Sequence, residues 1–268
     1  MDRLRFRSLA SGSSGNCYFI GTASYGILID AGVGVRATRK FLKGMGLDFH
    51  HIQGVFITHD HIDHIKAVGT IGEKHHVPIY ATKAVHEGIN KSYCVTQKLS
   101  SSQRFIDINQ KIKVGEFVIQ AFPVLHDASD SVGYSVEYRG KTFTFATDLG
   151  YISDVVAEHL VKSDYLVLEA NYDEDMLANG PYPSHLQQRI KSRTGHLCNV
   201  QTAEFLANYY TDRWKYVFLC HLSKANNLPE LAYTTIAEQL KSQMIDFENT
   251  MEIIPLERMS PSALYIFD

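Results

Sequence analysis

GVFITHDHIDH, Gly54 to His64, carries an apolar strand straight into a loop crowded with metal-binding side chains. Gly54–Thr58 reads as a buried strand. His59 and His61 alternate on extended chain, so both imidazoles leave the same side. Asp63 and His64 diverge from them because a helix begins there. One short loop thus feeds two adjacent metal positions, with two histidines for one and Asp plus His for the other. A catalytic ion takes about three protein ligands and keeps an open position, so each needs further donors. His126 after QAFPVL, Asp148 after TFTFAT and His221 after KYVFLC supply candidates, each at a strand end. Strand ends place a ligand on rigid scaffold with loops free around it. A lone exposed histidine reads as solvated loop; this pattern reads as a metal centre.

Working outward, Leu4–Leu9 and Cys17–Ile20 are short apolar strands around the turn SGSSGN, and YGILIDAG is a third strand ending at Asp30. GVRATRKFLKGMG has helical spacing, DHIKAVGTIGEKHH reads as one helix and PIYAT as a strand. FVIQAFPV, VGYSVEY and TFTFATD are strands, the last two joined by a turn at Arg139–Gly140. Beyond Asp148, YISDVVAEHLVKS, PSHLQQRIKSR, NVQTAEFLANYY and LPELAYTTIAEQLKSQ are helical, and YLVLEA and KYVFLCH are strands. Two strand-rich halves, each followed by helices, predict an α/β fold in four αββα layers. No linker or repeat divides it, so residues 1–268 are expected to form a single domain.

Composition narrows the partners. At 45 % hydrophobic and 21 % charged residues the chain is not a disordered one. A net charge of −3 argues against nucleic-acid binding by bulk positive charge and leaves room for a local basic groove. No apolar run reaches the roughly 18 residues of a membrane span, and the N-terminus lacks a signal-peptide core. The four cysteines are far apart without a CxxC pair, which fits a reducing cytoplasm.

The HxHxDH signature and the donors that follow it resemble the metallo-β-lactamase superfamily over essentially the whole chain. That resemblance implies an αββα fold and two divalent ions, Zn2+ or Mn2+. Carried over residue by residue, His59, His61 and His126 hold one ion, Asp63, His64 and His221 the other, and Asp148 bridges them. LVLEANYDEDML and RTGHLCN put Glu169 and His196 between Asp148 and His221, where the phosphodiesterase branch has an acid–histidine pair. Only 21 positions separate Asp148 from Glu169 and 22 separate His126 from Asp148, so neither a β-CASP insert nor an RNase Z arm fits. SGSSGNCY, ATDLGY, GHLCN and CHLSKANN resemble the compact YycJ/WalJ-type family, with Tyr172 where relatives often have His and Cys198 where they often have Ser.

The expectation is a binuclear phosphodiesterase or nuclease, a DNA exonuclease using a metal-bound hydroxide. Asp63 orients that hydroxide, and His196, aligned by Glu169, donates the proton to the leaving oxygen. The alternative is a small-molecule hydrolase of the same fold acting on a cyclic phosphodiester, lactone or thioester; a metal-binding protein without activity is the third class. The SGSSGN turn reads first as a hairpin, with Ser13 and Asn16 as candidate substrate contacts. Arg189, Lys191 and Arg193 read first as a solvated helix face, with a nucleic-acid backbone as the alternative partner.

Overall fold

The computed structural model describes residues 2–267. It contains two compact units, one of Met1–Phe117, Ala128–Ser131 and Glu257–Asp268, the other of Val118–Asp127 and Val132–Leu256.

In the first unit β1 (Leu4–Ala10), β2 (Cys17–Gly21) and β3 (Gly26–Ile29) form an antiparallel meander. α1 (Val35–Lys43), β4 (Ile52–Phe56), α2 (Ile62–Ile65), α3 (Val68–His75), β5 (Ile79–Ala81), α4 (Lys83–Lys91) and β6 (Gln103–Phe105) follow, then β7 (Lys111–Val114). β4, β5 and β6 extend β3 in parallel, each after a helical crossover or loop. The second unit repeats this plan. β8 (Phe117–Pro123), β9 (Val132–Tyr138) and β10 (Lys141–Ala146) make an antiparallel meander. α5 (Asp154–Val161), β11 (Tyr165–Glu169), α6 (Glu174–Asn179), α7 (Ser184–Ile190), α8 (Asn199–Asn208), β12 (Tyr216–Cys220), α9 (Pro229–Ser242) and β13 (Glu252–Pro255) complete it. β11, β12 and β13 pair in parallel from β10. β14 (Tyr265–Phe267) closes on β1, giving the sheet orders β14-β1-β2-β3-β4-β5-β6 and β13-β12-β11-β10-β9-β8-β7.

Burial explains the strand sequences. Strands covered on both faces must be apolar throughout, and β3 (GILI) and the first four residues of β11 (YLVL) are buried along their length. β1 alternates buried with half-buried residues before entering its turn. Arg139 and Gly140 take φ of 49° and 80°, the left-handed pair that a two-residue hairpin needs. In the second core Trp214 is fully buried, and its Nε1–H donates to the Leu160 carbonyl at 2.9 Å, so a large apolar ring is sequestered without an orphaned donor.

The single helix expected over residues 63–76 is instead two, α2 beginning at Ile62 and α3 at Val68. The Asp63 carbonyl accepts from Asn16 N at 2.7 Å, and Ala67 N turns to the Ala31 carbonyl at 2.9 Å. The bond that would continue the helix from Ala67 to Asp63 is replaced by two bonds that pin the loop. α4, α6 and the short strands β6, β7, β13 and β14 lie outside the sequence-based expectations. The described residues contain no helix long and apolar enough to cross a membrane.

Candidate metal centre

In both units the donor side chains collect at the carboxyl ends of the parallel strands, where open α/β sheets present their sites. Asp30 just after β3, Asp148 after β10 and His221 after β12 all have left-handed backbone, with φ of 60°, 55° and 55°. Such conformations cost on the order of 1–3 kcal/mol each in non-glycine residues and persist where surroundings over-determine them. Here hydrogen bonds supply that restraint.

In the first unit the restraint centres on Asp30, which is fully buried. Its carboxylate accepts from Thr58 N at 2.9 Å, from Thr58 Oγ1 at 2.9 Å and from His64 Nδ1 at 2.8 Å. Thr58 Oγ1 in turn lies 3.0 Å from His59 Nδ1. Both imidazoles therefore spend Nδ1–H on the protein and keep Nε2 as the basic nitrogen, the arrangement that fixes a metal-ligating tautomer. The His59 ring lies 4.7 Å from His61 and 4.0 Å from His64, centroid to centroid, so the three rings are gathered as the motif spacing predicts. Burial pushes the Asp30 carboxyl up, and the charge and hydrogen bonds of His64 and Thr58 pull part of the way back. Asp63 Oδ2 stands 3.6 Å from His64 Nε2.

Asn16 is buried beneath this loop. Its Oδ1 accepts from Gly12 N at 2.9 Å, closing the hairpin, while Nδ2 donates to His64 Nε2 at 2.9 Å. Ser13 is exposed at the tip of the same turn. Gly32 allows the close approach: a Cβ there would lie 1.5 Å from the Asp63 carbonyl oxygen.

In the second unit Glu169, fully buried at the end of β11, organises the site. Oε1 accepts from His196 Nδ1 at 2.7 Å and from His221 Nδ1 at 3.1 Å, and Oε2 accepts from Leu149 N at 2.9 Å. Burial raises the Glu169 carboxyl, but the charge of His196 and the bonds from both histidines outweigh it and hold the group below its ordinary range. The expected Glu169–His196 pair is present, and Glu169 aligns His221 as well. Asp148 Oδ1 lies 3.4 Å from His221 Nδ1 and 3.8 Å from His196 Nδ1, while Thr147 Oγ1 donates to Oδ2 at 2.6 Å. Asp148, Glu169, His196 and His221 each offer a donor atom within 4.8 Å of the others. His126 gives its Nδ1–H to the Gly195 carbonyl at 3.1 Å, and its Nε2 is 4.0 Å from Asp148 Oδ1. A set of imidazoles and carboxylates whose spare nitrogens are already anchored suits Zn2+ or a harder divalent ion such as Mn2+.

Asp30 and Gly195 escape the sequence reading. Asp30 carries the same signal as Asp148, an acid closing an apolar strand in ILID and FATD. Gly195 has no side-chain signal, because its carbonyl does the work. Cys198, buried against Tyr172, caps α8 by accepting from Gln201 N through sulfur at 3.4 Å, a role a serine would also fill.

A family profile described as "Beta-lactamase superfamily domain" matches residues 25–221. The chain is 32 % identical over 262 residues to exodeoxyribonuclease YycJ of Bacillus anthracis, covering 97 % of this chain and 98 % of that protein. It is 34 % identical to exodeoxyribonuclease WalJ of Streptococcus pneumoniae, covering 88 % of each. The crystal structure of the metallo-β-lactamase fold protein YhfI from Bacillus subtilis superposes with a TM-score of 0.71 at 16 % identity, over 100 % of both chains, which shows the shared fold.

Proposed function

Because this chain belongs to the β-lactamase superfamily, and within it to the YycJ/WalJ-type family, it is a metal-dependent hydrolase, and we propose that its substrate is a nucleic-acid phosphodiester, DNA being cut exonucleolytically. The observation that carries this reading is the Glu169–His196 pair at 2.7 Å, set within the donor group of Asp148 and His221. An acid–histidine pair beside metal donors is the equipment for expelling an alkoxide, which needs a proton in a way that a thiolate does not.

In this reading His59, His61 and His126 would hold one divalent ion, Asp63, His64 and His221 would hold the other, and Asp148 would serve both. Two bound ions supply Lewis acidity, bringing water towards a pKa of about 7 and offsetting phosphodiester charge. The remaining work belongs to the chain. Glu169 holds His196 through Nδ1, which leaves Nε2 to deliver a proton to the leaving oxygen. Asp63 orients the attacking water. Asp30 and the Gly195 carbonyl keep His64 and His126 in the ligating tautomer. The family profile runs across both compact units, which supports one functional domain over residues 1–268. All four cysteines are free thiols, which supports a cytoplasmic location.

Product mapping on end-labelled single-stranded DNA and RNA, beside a cyclic nucleotide, a lactone and an acyl-thioester, tests the reading. Mononucleotides released stepwise from one DNA end support it. Turnover confined to a small molecule overturns it in favour of a hydrolase of the same fold.

A further inference from the structure

α7 is a helix without a single buried residue, yet the segment it heads is wired into the centre of the second unit. His196 N donates to the Ile190 carbonyl at 2.9 Å, and the Gly195 carbonyl takes the His126 Nδ1–H. Gly195 has to be glycine, since a Cβ would lie 2.1 Å from the Ile190 carbonyl oxygen. The last turn of α7 is thereby locked beside His126 and His196, with Ile190 packed against Tyr172, Leu177 and Cys198 and the charged side chains facing solvent.

Those side chains are cationic. Arg189, Lys191 and Arg193 are all exposed. Arg189 Nε donates to Asp127 Oδ2 at 2.5 Å, on the residue that follows His126. The Arg193 guanidinium lies 4.3 Å over the ring of Tyr151, three positions beyond Asp148. Gly150 permits that approach, because a Cβ there would sit 2.3 Å from the backbone of Arg193. Two guanidinium groups are thus mounted on the loops that follow His126 and Asp148. An ordinary solvated helix face has no reason to be fastened in this way.

We propose that residues 184–193 are a backbone clamp for a single nucleic-acid strand, with Arg189, Lys191 and Arg193 on phosphates flanking the scissile one and the Arg193–Tyr151 stack as a platform for a base. This rests on the phosphodiesterase reading and adds to it the part that grips a polymer. Planar guanidinium forks match phosphate oxygens two at a time, so Arg189 exchanges the Asp127 carboxylate for a phosphate of similar geometry. A cationic track joined to an aromatic face is the chemistry that binds single strands with little sequence preference. The net charge of −3 is no obstacle, because the positive charge is placed locally.

The test is steady-state kinetics on a 5′-labelled single strand across a salt series, for R189Q, K191Q, R193Q, R193K and the triple glutamine variant. K162Q, on the exposed end of α5, serves as control. The clamp predicts that KM rises roughly tenfold or more for the triple variant, with kcat falling much less. The slope of log kcat/KM against log salt should flatten by about 0.7 for each phosphate contact removed. R193K should recover the salt slope without recovering the full KM, since charge returns and the stacking plane does not. A wild type that degrades the strand while the triple variant keeps its KM and slope overturns the clamp alone. A wild type that cleaves no strand overturns the phosphodiesterase reading and the clamp together.

Discussion

Replacing Asp30 by asparagine changes one acceptor and unfixes the proton of a histidine. Asparagine tolerates the left-handed backbone at φ 60°, so the substitution adds little backbone strain. Its carbonyl oxygen can still take the Thr58 N–H, at 2.9 Å in the native protein. Its amide, however, faces His64 Nδ1 at the position where Oδ2 accepts at 2.8 Å. Two donors cannot share that contact, so the imidazole either gives up its Nδ1 bond or moves its proton to Nε2 against the Asn16 Nδ2–H 2.9 Å away, and either way the nitrogen that must stay basic to bind a metal is no longer fixed. Losing a hydrogen bond to a charged group costs about 1.5–3 kcal/mol in metal-free stability. Loss of an outer partner to a ligating histidine lowers metal affinity by roughly 10–100-fold. Calorimetric metal titration of the folded D30N variant, with urea unfolding in chelator alongside, measures both quantities. Wild-type affinity in D30N would refute the tautomer reasoning.

H196A should retain near-normal metal content and lose about 10²–10⁴-fold in turnover, with a smaller loss on a nitrophenyl diester whose leaving group needs no proton; equal losses on both substrates would remove the proton-donor role. E169Q should reduce metal retention as well as turnover, because the carboxylate serves His221 as well as His196; dialysis followed by metal analysis reads this directly. G32A should cost about 3 kcal/mol, the upper end of overpacking, and displace the Asp63 loop, while G34A, at the start of α1 where a Cβ meets nothing within 4 Å, should cost no more than about 1 kcal/mol through the helix cap. Glu73 is pushed up by burial, but bonds from the backbone and hydroxyls of Ser100 to Ser102 hold it far below its ordinary 4.5. Its folded value being the lower one, the stability it adds is present above about pH 4.5 and fades as pH falls, so the urea-midpoint gap between wild type and E73Q should narrow between pH 7 and pH 3.

What the sequence revealed follows a physical rule. His59, His126, Asp148 and His221 are legible because each interrupts an apolar strand with a donor at its end, and a buried strand makes such a residue conspicuous. Asp30 has the same local pattern, but its work depends on Thr58 and His64, 28 and 34 positions away, and only the fold joins them. Gly195 acts through its backbone and leaves no trace in residue type. α4 was obscured by Gly88 within it, where a Cβ would lie 1.8 Å from the Asp60 carboxylate; close packing outweighed the helix propensity that a reader relies on. β6 has three residues, none of them buried, so no period could be read. The two strand-rich halves were legible as such, while the matching strand order of the two sheets lies in connectivity and not in residues.

The central claim is that two divalent ions act together on a phosphodiester, and stoichiometric reconstitution tests it most directly. Metal-free protein would be titrated with Mn2+ or Zn2+ while hydrolysis of an end-labelled DNA strand is followed at each addition. The account predicts little turnover through the first equivalent per chain and activity that climbs with the second, with both equivalents bound weakly in D148A. Full activity reached at one equivalent, or turnover that persists in excess chelator, would contradict it.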